Sequence, residues 1–262
     1  MMNEDLVKFE IVDNTIAVLR LNRPGKLNAL STPLMRELAT CLDRIEATPD
    51  LRAVVLTGEG ASAFAAGADV EEYRGRRERA FADFQFSSRE LFDRVERFRL
   101  PTIAAIEGYA LGGGFELALC CDVLVVSESA RLGLPEGKLG LCPGGGGTQR
   151  LTRSIGRHLA ADVLLSARML SGERAYQIGL AAELASAGAA LATALDKARY
   201  MRRLAPLAQT EMKRLMRLGA DASLPAALSL EQETLLRLYA SDDAQEGIDA
   251  FLDKRNPHFK AQ

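Results

Sequence analysis

Two glutamates, Glu116 and Glu136, stand in the most apolar and glycine-rich stretch of the 262-residue chain. One lies in Leu111-Gly112-Gly113-Gly114-Phe115-Glu116-Leu117, the other in Leu132-Gly133-Leu134-Pro135-Glu136. A carboxylate in apolar company is costly to desolvate, so its pKa moves upward. Two such groups converging on one cleft make an acid/base pair poised for proton transfer near neutral pH. Each has an ordinary alternative. A glutamate in a helix's first turn favours the helix dipole, and one following a proline can be a solvated loop acid.

The glycines add a second chemistry. Ile103 to Ile106, Gly112 to Gly114 and Phe115 to Leu117 read as strand, glycine loop and helix. Glycines let a backbone approach a ligand closely, and a helix start leaves N–H groups unpaired. Ala65-Ala66-Gly67-Ala68-Asp69 is another loop of small residues. One N–H from each loop would form a two-donor hole for a developing oxyanion. Either loop by itself reads more readily as a turn that only packs. The glycines do not form a dinucleotide fingerprint, since Gly112 to Leu117 lacks the G-x-G-x-x-G spacing. Gly133 to Lys138 is one residue short of a phosphate loop, with Leu139 where Ser or Thr would be needed.

Other schemes fit poorly. His158 and His258 are the only histidines, and no Gly-x-Ser-x-Gly elbow occurs. No His/Cys/Asp cluster has metal-ligand spacing, so no metal is expected. The net charge of -2 argues against a nucleic-acid partner. No apolar run is long enough for a membrane span, and the acidic start Met1-Met2-Asn3-Glu4-Asp5 is unlike a signal peptide. Cys41, Cys120, Cys121 and Cys142 show no Cys-x-x-Cys spacing. A reducing, cytoplasmic location is therefore expected.

The elements that must position these residues follow from periodicity. Leu6 to Val12 and Ile16 to Leu21 read as a hairpin across Asp13-Asn14. A helix capped by Ser31 or Thr32 carries Leu34, Leu38, Leu42 and Ile45 on one stripe. Ala53 to Thr57, Thr102 to Ile106 and Val123 to Val126 read as buried strands. Phe81 to Phe98 reads as a long helix that Pro101 stops. Strands alternate with helices to about residue 185, which is an α/β pattern. Beyond it, residues 191–204, 207–218, 224–239 and 243–252 read as helices, with Ser223 and Ser241 as caps. No Pro-, Gly- or Ser-rich linker separates the two parts, so the helical end is expected to dock on the core or on another subunit.

Ile106-Glu107-Gly108-Tyr109-Ala110-Leu111-Gly112-Gly113-Gly114-Phe115-Glu116-Leu117-Ala118 resembles the signature of the crotonase (enoyl-CoA hydratase/isomerase) family. So does Leu134-Pro135-Glu136 running on to Pro143-Gly144-Gly145-Gly146-Gly147-Thr148-Gln149-Arg150-Leu151. Phe64 to Asp69 resembles its first oxyanion loop. Leu21-Asn22-Arg23-Pro24 with Leu27-Asn28-Ala29-Leu30 resembles its CoA-binding turn, and Phe251 to Arg255 its closing helix. The resemblance covers nearly the whole chain. It implies an α/β fold built as a spiral of ββα units over residues 1–195. Residues 196–262 would then form a helical region for assembly into trimers or hexamers and for closure over CoA. It also implies roles: Ala68 and Gly113 as oxyanion donors, Glu116 and Glu136 as the catalytic acids of a hydratase. Lys26, Leu27, Ala66, Asp69, Phe251 and Lys254 would contact CoA, Lys254 reaching a CoA held by an adjacent subunit. Either lysine reads otherwise as a solvated surface charge. CoA is part of the substrate, and no separate cofactor is implied.

The implied reaction is addition of water to a 2-enoyl thioester. Glu116 would deprotonate the water attacking C3, and Glu136 would deliver a proton to C2. An isomerase, or another crotonase-type hydrolase or decarboxylase, is the alternative within the fold, and a non-catalytic acyl-CoA-binding protein the alternative outside enzymology. Two departures bear on this. Glu107 and Glu71 replace residue types more usual in the family. The segment 70–86, expected to shape the acyl pocket, is unusually charged.

Overall fold

The computed structural model describes residues 5–75 and 78–261. Most of the acidic start read above, Met1 to Glu4, lies outside the described residues. So do Arg76 and Arg77 of the charged segment.

The hairpin forms as expected. Strands β1 (Val7–Val12) and β2 (Ile16–Leu21) pair antiparallel. Asp13 and Asn14 between them take left-handed conformations that Asp and Asn tolerate. Helix α1 (Thr32–Glu46) follows, its first turn accepted by the Ser31 hydroxyl, which takes the Leu34 N–H at 3.4 Å.

The chain then repeats one move. β3 (Ala53–Gly58) joins β2 in a large sheet, and β4 (Ala63–Ala65) starts a small one. Helix α2 (Glu78–Glu96) returns the chain to β5 (Thr102–Ile106) in the large sheet and β6 (Tyr109–Leu111) in the small one. Helix α3 (Gly113–Leu119) leads to β7 (Val123–Ser127) and β8 (Arg131–Gly133), divided in the same way. This is the spiral of ββα units. Helices α4 (Gly147–Ile155) and α5 (Arg157–Ser166) precede β9 (Leu170–Ser171), which pairs antiparallel with β8. After α6 (Gly172–Gln177), β10 (Glu183–Ala185) closes the large sheet beside β7. The large sheet runs β1-β2-β3-β5-β7-β10, the small one β4-β6-β8-β9.

Strands buried on both faces explain the apolar runs. Val54, Leu56, Ala104, Ile106, Leu124 and Val126 enter the main core. Their neighbours Ala53, Val55, Ile103, Ala105 and Val125 pack against Ala190, Ala194 and Ala198. Those alanines lie on helix α7 (Ala190–Met201), and their small side chains let it lie close on the sheet. The division expected between residues 195 and 196 thus falls within a helix docked on the core.

Helix α8 (Pro206–Gly219) is also docked. Lys213 Nζ pairs with Asp122 at 2.6 Å and donates to the Leu100 carbonyl. Helices α9 (Leu224–Tyr239) and α10 (Asp242–Leu252) behave differently. Leu235, Leu236, Phe251 and Leu252 are all exposed on them. Ser241 caps α10 by accepting the Ala244 N–H, whereas Ser223 holds the cap position of α9 as expected but makes no side-chain bond there. Among the described residues no helix is long and apolar enough to cross a membrane.

Candidate active site

The loop from Ala65 to Asp69 is held beside the turn from Leu27 to Leu30 by backbone hydrogen bonds. Ala66 N–H donates to Leu27 O at 3.0 Å, Leu30 N–H to Gly67 O at 2.8 Å and Asp69 N–H to Leu30 O at 2.9 Å. The turn read as CoA-binding is thereby zipped to the first oxyanion loop. Asn28, buried and left-handed, fastens the turn from within. It accepts the Arg23 N–H and donates to the Ala63 carbonyl at 2.7 Å. Arg23 in turn pairs with Asp69 at 2.9 Å.

Helix α3 is pressed against this loop. A Cβ on Gly114 would strike the Ala65 carbonyl, so only glycine lets the helix start approach β4 so closely. A Cβ on Gly113 would lie 3.7 Å from the Ala68 nitrogen. The N–H groups of Ala68 and Gly113 therefore come from adjacent stretches of chain. Neither donates a hydrogen bond among the described residues.

Both glutamates and both oxyanion residues line one cavity of about 560 Å³. Glu116, on the first turn of α3, is 4 % exposed. Its Oε1 accepts the N–H groups of Gly145 at 2.8 Å and Gly147 at 2.7 Å. Arg150 steadies that loop. Its Nη1 donates to Gly145 O at 2.7 Å, and the rest of the guanidinium pairs with Asp93 and Glu96 of α2. Burial pushes the Glu116 carboxyl above its ordinary pKa, against the opposing pull of the two N–H donors and the Arg150 charge.

Glu136 opens a short 3-10 turn, Glu136 to Leu139, across the cavity. Gly112 N–H donates to Gly133 O at 2.9 Å and so joins the end of β8 to the start of α3. The Glu136 carboxyl then sits over Gly112, where a Cβ would come within 3.0 Å of Oε1. Oε2 is buried with no hydrogen-bond partner among the described residues. Burial, reinforced by the Glu116 charge, raises the Glu136 pKa to about 7.

The residues expected to meet CoA separate into two groups. Lys26, Leu27, Ala66 and Asp69 lie on the zipped turn and loop, and Ala66 lines the cavity. The Asp69 carboxylate is engaged by Arg23 and by the Glu71 N–H, so it orders the loop. Lys26 pairs with Glu71 at 3.0 Å, and both side chains are exposed. The acid that departs from the family pattern thus meets the candidate CoA lysine. Phe251, 82 % exposed, and Lys254 lie at the end of α10 and do not line the cavity. Asn28 and Arg150 were not read from sequence as site residues. Their partners lie up to 57 positions away, and only the fold brings them together.

Residues 12–262 match the family model described as enoyl-CoA hydratase/isomerase. The chain is 41% identical over 247 residues to 2,3-dehydroadipyl-CoA hydratase of Escherichia coli, covering 94% of this chain and 96% of that protein. It is 37% identical over 251 residues to the mitochondrial methylglutaconyl-CoA hydratase of Mus musculus, covering 94% and 80% of the two chains. Its fold matches the crystal structure of enoyl-CoA hydratase from Bacillus anthracis with a TM-score of 0.95 at 34% identity, over 98% and 100% of the two chains. The chain belongs to the enoyl-CoA hydratase/isomerase family and is an enzyme of the crotonase fold.

Proposed function

We propose that this enzyme adds water reversibly across the 2,3 double bond of a 2-enoyl-CoA thioester. One observation carries the reading: a buried glutamate and a half-buried one share a cavity with two adjacent, unengaged backbone N–H groups. An isomerase needs one group to move a proton, whereas a hydratase must also activate water. Two acids suit the second task.

The N–H groups of Ala68 and Gly113 would take the thioester oxygen and stabilise the enolate charge that develops there. Water held between the carboxyls would attack C3. Glu116, whose ionised form is favoured by two donors, would receive the proton from water. Glu136, whose pKa is raised to about 7, would give its proton to C2. The unpartnered Oε2 of Glu136 has a hydrogen-bonding valence left for water or substrate. In the reverse direction the two roles exchange.

Lys26 and the turn beside it would receive the anionic CoA, with the exposed Glu71 partner readily displaced because such pairs are weakly held. Assembly into trimers or dimers of trimers would cover the apolar surface of α9 and α10 and carry Phe251 and Lys254 to a neighbouring subunit's CoA. The exposed Leu235, Leu236, Phe251 and Leu252 support that arrangement. The 2-enoyl-CoA hydratases among its relatives support a role in acyl-CoA breakdown.

The test is turnover of crotonyl-CoA and of a 3-enoyl-CoA. Hydration bleaches the conjugated thioester absorbance of the first. Formation of conjugation from the second, with no bleaching of the first, would establish an isomerase instead.

A further inference from the structure

The charged segment 70–86 contributes more to the cavity than its composition suggests. Helix α2 presents Phe81, Phe84, Ser88 and Phe92 to it, at the three- and four-residue spacing of one helical face. Phe92 packs on Gly145, the residue that holds Glu116. Seven residues earlier, two turns and about 10 Å along the helix axis, comes Gln85. Its carboxamide reaches back to pack on Gly144.

Gln85 meets a fixed tyrosine. The Tyr73 ring stands edge-on to Phe81 at 4.9 Å and to Phe84 at 5.3 Å. Its hydroxyl accepts from Gln85 Nε2 at 3.4 Å, a long bond. Both residues line the same cavity as the glutamates. The Tyr73 O–H and the second N–H of Gln85 have no acceptor among the described residues. Burial raises the Tyr73 pKa, so the phenol keeps its proton and remains a donor. Ser88 differs, since its hydroxyl is spent on the Phe84 carbonyl at 2.7 Å.

An aromatic wall built only for a hydrocarbon chain has no use for two unspent donors, which lose solvation without recompense when an alkyl group covers them. Building on the hydratase reading above, we infer that Tyr73 and Gln85 form a specificity subsite for an oxygen-bearing substituent on the acyl group, beyond the carbons that react. A hydroxyl, a carbonyl or a carboxylate would each offer an acceptor to these two unspent donors. The two residues select the substrate and take no part in proton transfer.

The experiment compares kcat/KM for three six-carbon substrates that differ only at the far end: hex-2-enoyl-CoA, 6-hydroxyhex-2-enoyl-CoA and 2,3-dehydroadipyl-CoA. The wild-type enzyme should favour one or both oxygenated substrates over the methyl-ended one by about tenfold or more, the loss expected when buried polar groups are left unpaired. Which of the two leads identifies a hydroxyl or a carboxylate as the preferred group. Tyr73→Phe and Gln85→Leu should each bring the ratio to within about threefold of unity, chiefly by lowering the oxygenated rate. Because the ratio is internal to each protein, partial misfolding of a variant does not imitate this result. Turnover of all three substrates without preference overturns the subsite and leaves the hydratase reading intact. A preference that survives in both variants overturns it equally. Turnover of none of the three overturns both.

Discussion

The two sides of the cleft hold the same side chain in opposite ways. On the α3 side, Glu116 is sealed in, with one oxygen gripped by two backbone N–H groups that Arg150 steadies. On the other side, Glu136 rides a short turn, is partly buried, and has one oxygen with no partner among the described residues. Burial raises both pKa values. Only at Glu116 do two N–H donors from a neighbouring loop and a cation oppose that rise. On the proposed mechanism, identical residues become a charge-holder and a proton-holder through their surroundings alone.

Removing either carboxyl should destroy the contrast most completely. Glu116→Gln and Glu136→Gln are each expected to lower kcat for crotonyl-CoA by about 10³-fold, within the range for lost acid/base catalysis, while CoA binding measured by calorimetry persists. Full activity in either variant would remove that residue from the chemistry.

Loosening the grip on Glu116 is a gentler intervention. Arg150→Met frees the Gly145 carbonyl and removes the positive charge nearby. A fall in kcat of roughly tenfold to a hundredfold is expected from the misplaced base, with KM little changed. The acid limb of the rate profile should also move to higher pH, since a cation that favoured the ionised carboxyl is gone. A variant that lost activity with an unmoved limb would reduce Arg150 to a packing role.

The smallest effect lies in stability. The Glu136 pKa is higher in the folded state than in the unfolded chain. The folded protein thus binds more protons between about 4.5 and about 7, and its stability falls as pH rises through that window. Glu136→Gln abolishes the penalty. It should raise Tm slightly over wild type at pH 8 and show no gain at pH 4, as read by thermal melts. A gain of equal size at both pH values would contradict the raised pKa.

Much of this contrast is legible in the chain itself. Glu116 and Glu136 stand out because glycine and apolar residues surround them, and the long strands and helices follow from periodicity. The small sheet does not. Strands β4, β6 and β8 have three residues each, too few to display an alternation. Yet their pairing carries the Ala68 loop and the start of α3 into register. Asn28 and Arg150 look like an ordinary turn residue and an ordinary helix cation until distant segments are joined. Phe251 and Lys254 are legible as a motif, but a single chain leaves them outside the cavity.

The most direct measurement is the pH dependence of kcat/KM for crotonyl-CoA hydration by the wild-type enzyme, followed by loss of the conjugated thioester absorbance. The proposed mechanism requires Glu136 to enter protonated and Glu116 ionised. The rate should therefore fall above about pH 7 as Glu136 loses its proton, and fall again in acid as Glu116, whose pKa burial raises above its ordinary value, gains one. A profile flat from pH 6 to 9, or no bleaching at any pH, would contradict the assignment of a proton to one glutamate and a charge to the other.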